Sequence, residues 1–170
     1  MIKNTNIKIL NEGGNVEIDG IAAQRLDLNK ISRTQAVKTI DKALQAINVA
    51  FNKMYKVPLW SPELIQNKEF LSGSAFHFFN VAIPDEQFVK VKPSVGDIDT
   101  MVDKKLSVQA KDFLTKATGK KFGPATLIGF KPNPGQDTYI TLWGFNEPPM
   151  KVQIDMELVD YAKGSPSDWS

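Results

Sequence analysis

One apolar stripe limits what this chain can fold into more than any other feature. Val37, Ile40, Leu44, Ile47, Phe51 and Met54 recur at alternating spacings of three and four, the period that lines up side chains along one side of an α-helix. The spacing predicts a helix from about Ser32 to Tyr55. Ser32 with Gln35 forms a capping-box pattern at its start, and Val57-Pro58 is expected to end it, because a residue before proline is pushed out of the helical region. At this length the stripe favours burial in a core over a partner-binding coiled coil, so the chain needs another layer for the helix to lie on.

The rest of the sequence supplies that layer. Leu106, Ala110, Phe113, Leu114 and Ala117 give a second amphipathic helix, stopped by Gly119. Three strand-like runs follow: Ala125 to Phe130, Thr138 to Phe145 and Lys151 to Asp160. Pro132-Asn133-Pro134-Gly135 and Asn146-Glu147-Pro148-Pro149 supply turn chemistry between them. Upstream, Asn4 to Gly20 reads as a glycine-bearing arm with a short strand or hairpin around Val16 and Ile18. Pro58 to Lys68 reads as a proline-rich connector, and Ala82 to Val95 as a loop. The expected fold is α+β: a small, twisted mixed β-sheet with the two long helices packed on one face. The expected organisation is an N-terminal arm over 1–31, one domain over 32–162 and a polar tail over 163–170.

Composition removes several chemistries. With 170 residues, one domain accounts for the chain. The absence of cysteine rules out disulfides, thiolate metal sites and cysteine nucleophiles. The lone histidine, His77, sits in the apolar run Ala75 to Phe79 and reads as a packed or helix-surface residue. No apolar run reaches the ~18 residues of a spanning helix, and the first ten residues lack a signal-peptide pattern, which points to an intracellular protein. A net charge of +2 does not by itself imply a nucleic-acid partner. Lys90, Lys92, Lys104, Lys105, Lys120 and Lys121 flank the acidic segment in sequence, where they would either steer an anion or remain ordinary solvated lysines. Trp60, Trp143 and Trp169 are candidates for base stacking, with core packing the default for Trp143.

The acids follow a different periodicity. In Asp97-Ile98-Asp99 the carboxylates stand two residues apart on a predicted strand, so both leave the same face. Val152 to Leu158 repeats the pattern, with Ile154, Met156 and Leu158 on the core side and Asp155 and Glu157 opposite. If the two strands are neighbours, Asp97, Asp99 and Asp155 converge. Hard oxygen ligands without histidine or cysteine favour Mg2+ or Mn2+ over zinc. Upstream, Ser72-Gly73-Ser74 reads as a tight turn onto a helix start, where backbone amides and the Ser74 hydroxyl suit an anion.

In order, Leu71-Ser72-Gly73-Ser74, Gly96-Asp97-Ile98-Asp99 and Gln153-Ile154-Asp155-Met156 resemble the DNA polymerase β-like nucleotidyltransferase superfamily, over roughly residues 32 to 160. Within it, the chain is most similar to nucleotidyltransferases encoded by large tailed bacteriophages, the arm around Gly13-Gly14-Asn15-Val16 included. The resemblance implies Mg2+- or Mn2+-dependent transfer of a nucleoside monophosphate from a triphosphate, such as ATP, to a hydroxyl acceptor. It assigns phosphate binding to Gly73 and Ser74, the metal to Asp97 and Asp99, and the third acid, which helps activate the acceptor, to Asp155. It leaves RNA, a small molecule and a protein hydroxyl open as acceptors, without a membrane partner and with a cytoplasmic or virion-associated location. One departure stands out: the interval from Ser74 to Asp97 exceeds the family's usual short spacer, so either Val81 to Val95 is an acceptor- or partner-specific loop or the Gly73-Ser74 match is accidental. The competing reading is an inactive protein of this fold that serves as a structural or interaction component of a phage particle or phage-host complex.

Overall fold

The computed structural model describes residues 16–161. Gly13, Gly14, Trp169 and the tail over 163–170 therefore lie outside the described residues. In chain order the strands are β1 (Glu17–Ile18), β2 (Ile21–Ala22), β3 (Leu26–Asp27), β4 (Leu71–Ser72), β5 (Ser94–Val95), β6 (Asp97–Asp103), β7 (Lys121–Phe122), β8 (Ala125–Asn133), β9 (Thr138–Asn146) and β10 (Pro149–Val159). The helices are α1 (Arg33–Tyr55), α2 (Pro62–Gln66), α3 (Ser74–Phe78), α4 (Asp85–Val91) and α5 (Ser107–Ala117). This is an α+β fold built on a mixed six-stranded sheet of order β4-β6-β10-β9-β8-β7, in which β6 and β10 run parallel and the other neighbours antiparallel.

Helix α1 starts as the sequence predicts. Ser32 Oγ accepts from the Gln35 N–H at 3.3 Å, satisfying one of the orphan donors of the first turn. It ends before Val57-Pro58: Lys56 takes a left-handed conformation (φ 62°) and returns its N–H to the Asn52 carbonyl, which reverses the chain without help from the proline. Ile40, Leu44, Ile47 and Phe51 are fully buried, whereas Val37 is only half-buried and Met54 is 47% exposed. The repeat itself explains this. Six positions at a mean spacing of three and a half drift by about 20° per heptad around a straight helix, so the centre of the stripe faces the sheet and its two ends turn away.

Helices α1 and α5 bury their stripes, including Leu44, Phe51, Phe113 and Leu114, against one sheet face that presents Ile98, Ile154, Trp143 and Leu127. Trp143 is fully buried and its Nε1 donates to Thr141 Oγ1, so it is a core residue. Trp60 is likewise fully buried, its backbone clasped from both sides by the Asn48 amide. The opposite face carries a second, smaller core of Val16, Ala23, Ile140 and Leu142, in which the β1–β2 hairpin covers strands β8 and β9. The hairpin over 16–23 thus completes the other side of the sheet, while Leu26 and Leu28 join the main core.

Two connectors hold structure that the periodicity does not announce. The proline-rich stretch contains α2, with Pro62 at its first turn and Ser61 as its cap. The expected loop from Ala82 to Val95 contains α4 and β5. Arg33, only 4% exposed, fixes that segment. It donates to the carbonyls of His77, Phe78, Asn80 and Ile83, pairs with Asp85 at 3.2 Å, and lies over the Phe88 ring at 4.6 Å. Among the described residues no helix is long and apolar enough to cross a membrane.

Candidate metal centre

The acidic site is assembled by strand register. On β6, Asp97 and Asp99 leave the face opposite the helices, while Ile98, between them, is fully buried in the core. The parallel pairing places Gln153 beside Asp97 and Asp155 beside Asp99, and residues paired directly across strands project to the same side. Thr100 tightens the junction by donating from its hydroxyl to the Asp155 carbonyl at 2.9 Å. One ligand oxygen from each of Asp97, Asp99 and Asp155 lies within 4.8 Å of the others, and all three residues are half-buried. The neighbouring strands that their convergence required are therefore present.

The electrostatics of this cluster favour a cation. Burial, and then the charge of Asp97, pushes the Asp99 carboxyl well above the usual carboxylate range, with Asp155 and Glu157 adding to it. Asp155 is raised mainly by burial and again by Asp97, against the downward pull of a hydrogen bond from Gln153. Glu157, one pleat further along β10, is raised by burial and by Asp97, but it is outside the converging set. Like charges held together at a half-buried site penalise ionisation, and a hard divalent ion bound between all-oxygen ligands would relieve that penalty. The donor set thus fits Mg2+ or Mn2+.

The Ser72-Gly73-Ser74 turn closes the site on its edge-strand side. Ser72 on β4 pairs with Asp99, and Gly73 follows with φ 59° and ψ −139°, a region that side chains with a Cβ essentially avoid. A Cβ built on Gly73 would stand 3.9 Å from Asp99 Oδ2. The chain then enters α3 with Ser74 exposed. Helix α3 has five residues, too few for a long macrodipole, and the Phe76 N–H of its first turn bonds the Gly73 carbonyl at 3.3 Å. His77 is exposed on α3 with its ring edge-on to Phe76, the helix-surface position.

Not every sequence candidate gathers here. Lys121 lies on β7, the edge of the sheet opposite β4 and β6, so it and the adjacent Lys120 do not flank the acids. Lys104 follows the far end of β6 and pairs with Asp137 at 2.8 Å. Conversely, Gln153 had no role assigned in the sequence. It is 3% exposed, and its Nε2 donates to Asp155 Oδ1 at 2.9 Å. The strand period does contain the signal, since residues two apart share a face. No protein-family profile matches the chain, and neither a curated protein nor a solved structure matches it.

Proposed function

We propose that the chain is a nucleotidyltransferase of the polymerase β-like kind, moving a nucleoside monophosphate from a nucleoside triphosphate to a hydroxyl acceptor with release of pyrophosphate. The observation that supports this most is the convergence of Asp97, Asp99 and Asp155 within 4.8 Å, next to a glycine turn that leads directly from Asp99's neighbouring strand into Ser74. Such an arrangement supports a cation site with phosphate-facing amides beside it.

In this reading Asp97, Asp99 and Asp155 would hold Mg2+ or Mn2+. When bound, the ion supplies positive charge toward the attacking oxygen and the leaving pyrophosphate. The Gly73 backbone, free of a side chain, leaves room for phosphate oxygens, and the Ser74 hydroxyl and first-turn amides donate to them. The acceptor oxygen forms a bond to the α-phosphorus as the bond from that phosphorus to the bridging oxygen breaks. Asp155 is the third acid, to which the resemblance assigns help in activating the acceptor hydroxyl, and in this reading it takes the acceptor proton.

The test is calorimetric titration of ATP, CTP, GTP and UTP in Mg2+, with the wild-type chain and the Asp97→Ala/Asp99→Ala variant. Binding of a triphosphate that needs the cation and disappears in the double variant supports the reading. Failure to bind any of the four moves the assignment to a structural or interaction component. Ser74→Ala separates a transferase, which loses triphosphate affinity, from a metal-dependent hydrolase acting on other substrates, which does not.

A further inference from the structure

The N-terminal hairpin connects to the acidic cluster through the side chain of Gln153. Gln153 stands in the cross-strand row Asp97, Gln153, Leu142, Gly129, and the hairpin segment meets the last three positions of that row. Over Leu142 lies the small core that Val16 and Ala23 form with it. Over Gly129 lies Ile18: a Cβ added at Gly129 would come within 2.7 Å of Ile18 Cγ2, so the Ile18 methyl rests where a side chain would otherwise begin. The exit of the hairpin is pinned as well, by the Gln24 N–H to the Lys151 carbonyl at 2.8 Å.

At Gln153 the contact is polar and directional. The Val16 N–H donates to Gln153 Oε1 at 3.1 Å, and Gln153 Nε2 donates to Asp155 Oδ1 at 2.9 Å. A backbone N–H can only donate and an ionised carboxylate can only accept, so the amide fits in one orientation alone. Removing the Val16 donor frees the amide to rotate, and its donor to Asp155 is then no longer held in place.

We infer that Gln153 is a positioning residue that couples the seating of the N-terminal hairpin to the orientation of Asp155, so that the hairpin completes the cation site without contributing a ligand to it. This rests on the cation-binding reading above. Groups that orient metal ligands typically change metal affinity about 10–100-fold when removed, and that is the size of effect assigned to Gln153.

Two variants of the full chain break the connection at different points. Gln153→Met keeps the length of the side chain and removes both hydrogen bonds. Val16→Pro removes the backbone N–H and leaves every side chain of the acidic row in place. Mn2+ affinity is measured by electron paramagnetic resonance titration, with near-ultraviolet circular dichroism to verify the fold. The expected result is binding by the wild type and a loss of about 10–100-fold in each variant. Wild-type affinity in both folded variants overturns the coupling while leaving the cation site intact, whereas no Mn2+ binding by the wild type itself overturns the cation-site reading and the coupling with it. If either variant fails to fold, the wild type still decides: the Gln153 side-chain amide resonance should shift when Mg2+ is added, and a resonance indifferent to Mg2+ overturns the inference.

Discussion

Replacing Asp99 with Asn should make the cation-free protein more stable while abolishing the cation binding proposed above. The Asp99 carboxyl is pushed up from 3.8 to about 8 in the folded chain. Between those two values the folded state carries more protons than the unfolded state, so stability falls as pH rises through that window. The slope for one such group is about 1.4 kcal/mol per pH unit, which sets a ceiling of about 4 kcal/mol near neutral pH. Partial exposure of the site and relaxation of its side chains reduce this to about 1–3 kcal/mol. Asn keeps the shape, removes the charge and can donate to neighbouring carboxylates. Urea denaturation in the presence of a chelator should therefore show Asp99→Asn more stable by that amount near neutral pH. The gap should narrow as pH is lowered toward about 4, where the wild-type carboxyl has taken its proton. In Mg2+ the order should reverse, because only the wild type gains from binding. A variant less stable than wild type in chelator, or a gap that does not change with pH, would refute the reasoning.

Other expectations follow from particular contacts. Gly73→Ala forces a Cβ into a backbone conformation at φ 59° and ψ −139° and should cost about 1–3 kcal/mol in urea denaturation, with triphosphate affinity lost in calorimetry. Arg33→Met strands the four backbone carbonyls and the Asp85 carboxylate that Arg33 now serves. Removing one partner of a buried charged network costs about 3–5 kcal/mol, and hydrogen exchange should rise over α4 before it rises over the sheet. Trp143→Phe removes the indole N–H that Thr141 Oγ1 accepts and should destabilise by about 1–3 kcal/mol without changing Mn2+ affinity.

Features set by local periodicity were legible in the sequence, and those set by pairing between distant segments were not. The two-residue alternation was enough to place Asp97, Asp99, Asp155 and Glu157 on one face and Ile154, Met156 and Leu158 on the other, because side-chain direction along a strand is a local property. The stripe of α1 was likewise readable, apart from its ends, where a strict repeat slips around the helix. That β10 would lie beside β6 was not readable, since register between segments so far apart depends on the whole sheet. Gln153 shows the same limit more sharply: its face could be read, but its donor, Val16, is 137 positions away. Helix α4 escaped because seven residues span only two turns and carry little periodic signal. Nothing in the local sequence marks Arg33, because its hydrogen-bond partners lie 44 to 52 positions away.

The position of β10 also has a kinetic meaning. It is the last strand of the described chain, yet it inserts between β6 and β9, joining an N-terminal half-sheet to a C-terminal one. Until it pairs, β6 lacks its neighbour on that side, and Asp155 is separated from the other two acids. Thr100 and the Asp155 carbonyl that it clasps are 55 positions apart, and contacts of such range form slowly because loop closure must precede their reward. A nascent or truncated chain that lacks β10 would have two of the three carboxylates and no geometry with which to trap an ion. The cation capture proposed above would then wait until β10 has joined the two halves of the sheet.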